Sequence, residues 1–306
     1  MGSAYARSLS TGYPTPHRDE QNKTARRGTD EFEGIDILAD YEHIIYEVTN
    51  QVATLTFNCP EKLNAMDAIM HRELTDVLPR VQADGGVRVL VLTGAGRGFC
   101  SGADVRGFRP ESYKERSAGD GEQRYYQQPR PSSPMPRFMH DTVKKPVIAA
   151  INGVAAGAGY GMALASDLRI ASSKATFSHV YLRRALIPSA ELWWLQRLIG
   201  IQQARYLLYL NRDIDAQEAQ RLGLTLKTTE PDQLMETAMA VASEIAAGPP
   251  VATQWAKVLF DKALDLNYDD TQYLSGLARA LAEPAGEFAE GTKSFLEKRA
   301  PHFKAN

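Results

Sequence analysis

The sequence predicts an α/β fold made of ββα units and ending in a helical carboxy-terminal region, on three observations. Two β-rich runs, Ile44 to Val48 and Val52 to Phe57, lead into an amphipathic stretch and then into a further β-branched run. Two segments stripped of side-chain bulk, Arg97 to Asp104 and Asn152 to Gly159, each follow a strand-like run, Val87 to Thr93 and Pro146 to Ile151. From about Pro231 onward, apolar residues recur at three- and four-residue spacing.

In chain order, residues 1 to about 40 are rich in Ser, Thr, Gly, Pro, Arg and Asp, have no hydrophobic period and are expected to form a solvated arm. Thr49-Asn50-Gln51 between the first two β-runs predicts a hairpin. Asp67 opens a helix whose apolar positions Ile69, Met70, Leu74, Val77, Leu78 and Val81 share one face, with Pro79 awkward near its end. Val87 to Leu92 returns as a strand. Between Arg106 and Pro136 the pattern breaks into charge, glycine and proline, the composition of a long loop. Gly157 to Ala165 reads as a short helix of small residues; it is not a dinucleotide-binding turn, because Met162 stands where the third glycine is needed. The last region is helical through Leu234, Ala238, Val241 and Ile245, and again through Val258, Leu259, Lys262 and Leu266. The expected division is an arm over 1–40, a core over 41–230 and a helical oligomerisation region over 231–306.

Composition narrows the function classes. At 306 residues and 43% hydrophobic content the chain can bury a substantial core. A net charge of −2 gives no support for nucleic acid or an anionic membrane as partner. Cys59 and Cys100 are too few for a disulfide framework, and a reducing, cytoplasmic setting is expected. No stretch approaches the ~18 apolar residues of a membrane span. What the residues do offer is a pair of small-residue turns at strand ends. Such turns can aim two free N–H groups at one ligand oxygen, as an oxyanion hole requires. The amino terminus of the helix after the second turn would add its dipole.

Lys62-Leu63-Asn64-Ala65, Gly98 to Asp104, Lys145 to Gly153, Ala165 to Ala171, and Glu290-Gly291 to Arg299 together resemble the enoyl-CoA hydratase/isomerase (crotonase) superfamily, in order from about residue 42 to the end. The resemblance implies a ClpP-like spiral of ββα units with two sheets. It also implies an acyl-CoA thioester whose carbonyl oxygen lies between the N–H groups of Ala103 and Ala158. Coenzyme A enters as part of the substrate; no permanent cofactor and no metal are expected. Lys62, Leu63, Ala65, Ala103, Asp104, Val105 and Arg106 fall where relatives hold coenzyme A. Phe295 and Lys298 fall where relatives reach the coenzyme A of a neighbouring subunit, in a homotrimer or a dimer of trimers. The loop from Arg106 to Pro136 falls where relatives set acyl specificity.

The departures bear on mechanism. The two glutamates with which hydratases of the family add water fall on Gly161 and Tyr181, so ordinary two-glutamate hydration is not expected. Glu191, after the Ile187-Pro188 turn, is the expected acid/base group, assisted by Tyr181 or by His179, which would share a strand face with Tyr181 if the strand continues. Trp193 and Trp194 are expected as pocket wall or core. The chain is therefore expected to be an isomerase- or hydratase-like enzyme that stabilises a thioester enolate. The alternatives are a carbon-carbon bond hydrolase of the β-diketone type and a catalytically weakened CoA-ligand-binding subunit.

Overall fold

A computed structural model describes residues 41–106, 134–188 and 190–304; the arm over 1–40 and most of the loop between Arg106 and Pro136 lie outside the described residues. The chain begins with β1 (Ile44–Thr49) and β2 (Val52–Phe57), paired antiparallel with Thr49 opposite Val52. The two-residue loop has Asn50 at φ 51° and Gln51 at φ 66°. Positive φ at both positions gives the turn whose twist matches the hairpin.

Asp67 caps the helix Ala68–Ala83, its Oδ1 accepting the Met70 N–H at 2.9 Å, an interaction worth about 1 kcal/mol. Met70, Leu74, Val77, Leu78 and Val81 form its buried stripe. The helix runs straight through Pro79, which forfeits one backbone hydrogen bond and does not end it.

Strands then come in pairs that part company. β3 (Val89–Gly94), β5 (Val147–Ile151) and β7 (Leu168–Ser172) enter a six-stranded sheet of order β1-β2-β3-β5-β7-β10, where β10 is Lys227–Thr229. Their followers β4 (Gly98–Cys100), β6 (Val154–Ala156) and β8 (Thr176–Ser178) enter a second sheet of four strands, closed by β9 (Ile214–Asp215). After the β1-β2 hairpin, which lies wholly in the large sheet, each turn of the chain lays one strand in each sheet before its helix, which is the expected spiral of ββα units. β3 and β5 are buried along almost their whole length, as central parallel strands covered on both faces must be.

One face of the large sheet packs on the helix Ala68–Ala83 and the helix Ala158–Ala165. The other is covered by Leu234, Ala238, Ala242 and Ala246 of the helix Leu234–Ala246. The boundary expected near residue 230 therefore cuts through the core, because the first carboxy-terminal helix supplies one of its two layers. The projecting helices start at Pro250: Pro250–Ala263, Tyr268–Ala282 and Glu287–Glu297.

Candidate active site

Two turns converge from successive units of the spiral. Met66 forms a parallel bridge with Ala103: its N–H donates to the Gly102 carbonyl at 2.7 Å, and its carbonyl accepts from the Asp104 N–H at 2.9 Å. Because backbone groups alternate sides along an extended segment, this leaves the N–H of Ala103 facing the opposite way. Ala158, which lines the same cleft, is the first residue of its helix, and its N–H has no intrahelical acceptor. The turns touch. A Cβ on Gly102, which has φ +103°, would lie 2.9 Å from the Ala156 carbonyl oxygen and 3.4 Å from the Ala158 nitrogen. Glycine is required there both for the backbone angle and for the close approach.

Ala103 and Ala158 line one cleft of about 490 Å³, with Met66, Asp67, His71, Met135, Pro136, Tyr181 and Ala190 among its other walls. Asn64, fully buried, holds the first turn: its Oδ1 accepts the Cys59 N–H at 2.8 Å and its Nδ2 donates to the Gly98 carbonyl at 2.7 Å. The segment around Lys62 is joined to the 101–104 turn by the Ser101 N–H to the Leu63 carbonyl at 2.9 Å. Lys62, Leu63, Ala65, Asp104, Val105 and Arg106 are thereby gathered around the Ala103 turn. Lys62 pairs with Asp67 at 2.5 Å and lies 4.0 Å from Asp104. Hydrogen bonds from Arg106 hold the Asp104 carboxyl down at about 2. Asp67 is also held well below the usual carboxylate range: burial opposes this, but bonds from Lys62, the Met70 N–H and His43 prevail. Phe295 and Lys298 do not line this chain's cleft; Phe295 is 81% exposed on the last helix.

The expected acid/base residues lie at and behind one wall. Glu191, in the first turn of the helix Ala190–Ile199, is 2% exposed, and His179 is fully buried. The Glu191 Oε2 and the His179 Nδ1 are 3.4 Å apart, so the fold pairs two of the three candidates. The third, Tyr181, reaches the cleft itself; of the Glu191 helix it is Ala190 that faces the cleft. His179 and Tyr181 do not share a strand face: β8 ends at Ser178, and Tyr181 has helical angles, φ −70° and ψ −57°. Burial, and then the charge of Glu191, push the Tyr181 phenol up to about 12, so it is a proton donor at neutral pH.

The sequence reading missed Tyr160. Its ring stacks edge-on to His179 at 5.2 Å, and its hydroxyl is buried without a partner among the described residues, as are the Glu191 Oε1 and the His179 Nε2. A tyrosine inside a run of small helical residues was the available signal. Trp193 and Trp194 line a different cavity. Burial raises the Cys100 thiol to about 12, which removes it as a nucleophile.

At the first hydratase position the structure is closed. A Cβ on Gly161 would lie 2.8 Å from Pro136 Cγ and 3.0 Å from Ala190 Cβ. The space that a glutamate side chain would need is occupied by two residues of the cleft wall.

The family model described as "Enoyl-CoA hydratase/isomerase" matches residues 47–306. The chain belongs to the enoyl-CoA hydratase/isomerase family. Similar members include a probable enoyl-CoA hydratase of Rhodobacter capsulatus, 35% identical over 86% of this chain and 98% of the relative. A 1,2-epoxyphenylacetyl-CoA isomerase of Escherichia coli is 35% identical over the same shares. The crystal structure of an enoyl-CoA hydratase from Bacillus anthracis superposes with a TM-score of 0.76 at 30% identity, covering 87% of this chain and 100% of that one. Enoyl-CoA hydratases/isomerases so named thus include both reaction types among its relatives. No helix among the described residues of this family member is long and apolar enough to cross a membrane.

Proposed function

We propose that this enzyme moves a proton on an acyl-CoA whose thioester oxygen accepts hydrogen bonds from the Ala103 and Ala158 N–H groups, and that it is not a two-carboxylate hydratase. The observation that carries this reading is one cleft lined by both Ala103 and Ala158 with, at Gly161, no room for a carboxylate. Removing a proton next to the thioester carbonyl sends the electron pair onto oxygen, where the two donors hold it. Returning the proton at another carbon shifts the double bond. Glu191, paired with His179 directly behind the Ala190 part of the wall, takes the proton and returns it, and Tyr181 on the cleft wall donates a hydrogen bond while keeping its own proton. Lys62, Leu63, Ala65, Asp104, Val105 and Arg106 contact the coenzyme A portion.

The test offers the purified protein crotonyl-CoA in water and trans-3-hexenoyl-CoA in parallel. Hydration is expected far below a typical enzyme turnover of about 10 per second, with double-bond migration well above it. Rapid crotonyl-CoA hydration overturns the reading. Tight binding of butyryl-CoA with turnover of neither substrate replaces it with a ligand-binding subunit. Cleavage of a β-diketone that carries no coenzyme A replaces it with a hydrolase.

A further inference from the structure

A second cavity, larger than the cleft, lies on another part of the molecule. It has a volume of about 760 Å³ and lies between the core and the helix Pro250–Ala263. Its aromatic wall is Trp193 and Trp194, the latter packed edge-on against His140 with ring centroids 5.4 Å apart. The Arg197 guanidinium lies 3.5 Å from the centroid of the Trp193 ring.

Charge in this cavity is partly internal. Arg197 pairs with Asp265 at 3.0 Å, Lys257 with Asp167 at 2.8 Å, and Arg137 with Asp141 at 2.5 Å. Asp261 faces His140 at 3.4 Å. Lys144 and Lys262 also line it and have no carboxylate partner among the described residues, whereas the buried Arg169 spends its donors on the Leu224 and Ser166 carbonyls; positive charge is in excess. A pocket of this volume with indole walls, a stacked guanidinium and surplus cations fits a flat, anionic aromatic molecule.

The cavity is also wired to the cleft. Three helices each begin at the cleft and end at the cavity: Met135–Thr142 through Met135 and His140, Ala158–Ala165 through Ala158 and Ala165, and Ala190–Ile199 through Ala190 and Arg197. The first residues of these helices carry one oxyanion donor and two parts of the opposite wall.

We propose that the cavity is a regulatory site for a planar aryl carboxylate, coupled to the acyl-CoA cleft by the shared helices. The coupling half rests on the cleft binding CoA thioesters; the binding half does not.

The test uses 2-naphthoate as probe, followed by calorimetry on the full chain. Saturable binding with a Kd below about 1 mM is expected. The neutral 2-naphthamide is expected to bind at least tenfold more weakly, roughly the effect of one lost charge-assisted contact. Lys262→Met, at an exposed position unable to disturb the core, and Lys144→Met are each expected to weaken naphthoate binding and leave naphthamide unchanged. Saturating naphthoate is expected to change the Kd of butyryl-CoA, and butyryl-CoA to change that of naphthoate by the same factor. No saturation, equal binding of acid and amide, or full displacement of naphthoate by butyryl-CoA overturns the site. Independent affinities overturn the coupling. Failure of butyryl-CoA to bind while naphthoate binds counts against the cleft assignment instead.

Discussion

Ala158 occupies the first position of its helix, where proline is tolerated because the N–H it lacks has no helical partner. Ala158→Pro therefore deletes one of the two proposed oxyanion donors at a position where proline is tolerated. Turnover is expected to fall roughly 10²- to 10³-fold, with thermal unfolding close to that of the parent; unchanged turnover would place the substrate oxygen elsewhere. Glu191→Gln keeps the shape of the pair with His179 and removes the base. It is expected to lower kcat roughly 10²- to 10⁴-fold with little change in KM. A loss below about threefold would pass the role to His71, the imidazole on the open cleft wall. Tyr181 carries a pH test. With its pKa raised to about 12, the phenol keeps its proton as pH rises, and the donor is lost only above that value. No alkaline fall in kcat attributable to Tyr181 is expected up to about pH 10, the ordinary tyrosine value. A fall there that vanishes in Tyr181→Phe would contradict the assignment. Motif order singled out Ala103, Ala158 and Tyr181, which the fold gathers in one cleft, but the burial of Glu191 was not legible. That depends on His179, twelve residues away, being turned inward where β8 stops.

At the scale of elements, the wall opposite the oxyanion donors is built by helix starts. Pro136 and Ala190 close over Gly161, so Gly161→Ala is expected to overpack this junction and destabilise the protein by about 1–3 kcal/mol in urea unfolding. Installing both hydratase carboxylates, Gly161→Glu with Tyr181→Glu, is expected not to restore hydration of crotonyl-CoA. Efficient rescue would show that the wall opens. The hairpin at Asn50-Gln51 and the cap at Asp67 were readable because their signals are local: left-handed backbone at the turn and a carboxylate three residues before its N–H partner. Pro79 is tolerated inside the helix because packing of Val77, Leu78 and Val81 outweighs one missing backbone bond. The contact of Pro136 with Gly161 joins segments separated by a long loop, and periodicity carries no trace of it.

The whole chain leaves large apolar side chains on its last helix: Phe288 at 84%, Phe295 at 81% and Leu296 at 74% exposure. Burying such a face against copies of the same chain is the expected remedy, in the trimer that the family resemblance implies. Phe295→Asp is expected to shift the mass measured by light scattering toward the monomer. If Phe295 and Lys298 reach a neighbour's coenzyme A, the same change weakens butyryl-CoA binding. A stable trimer with undiminished binding would separate this helix from both roles.

The pairing of β4 with β6 has a consequence for the proposed oxyanion hole. Cys100 stands opposite Ala155 after a register shift, and Ala103 and Ala158 each follow three residues later. Chains leaving a pair of adjacent strands start about 4.8 Å apart. The two turns thus leave neighbouring strands of one sheet, and the register of those strands decides which residues face each other across the cleft. A one-residue slip between these strands would spoil the proposed hole even with every side chain intact.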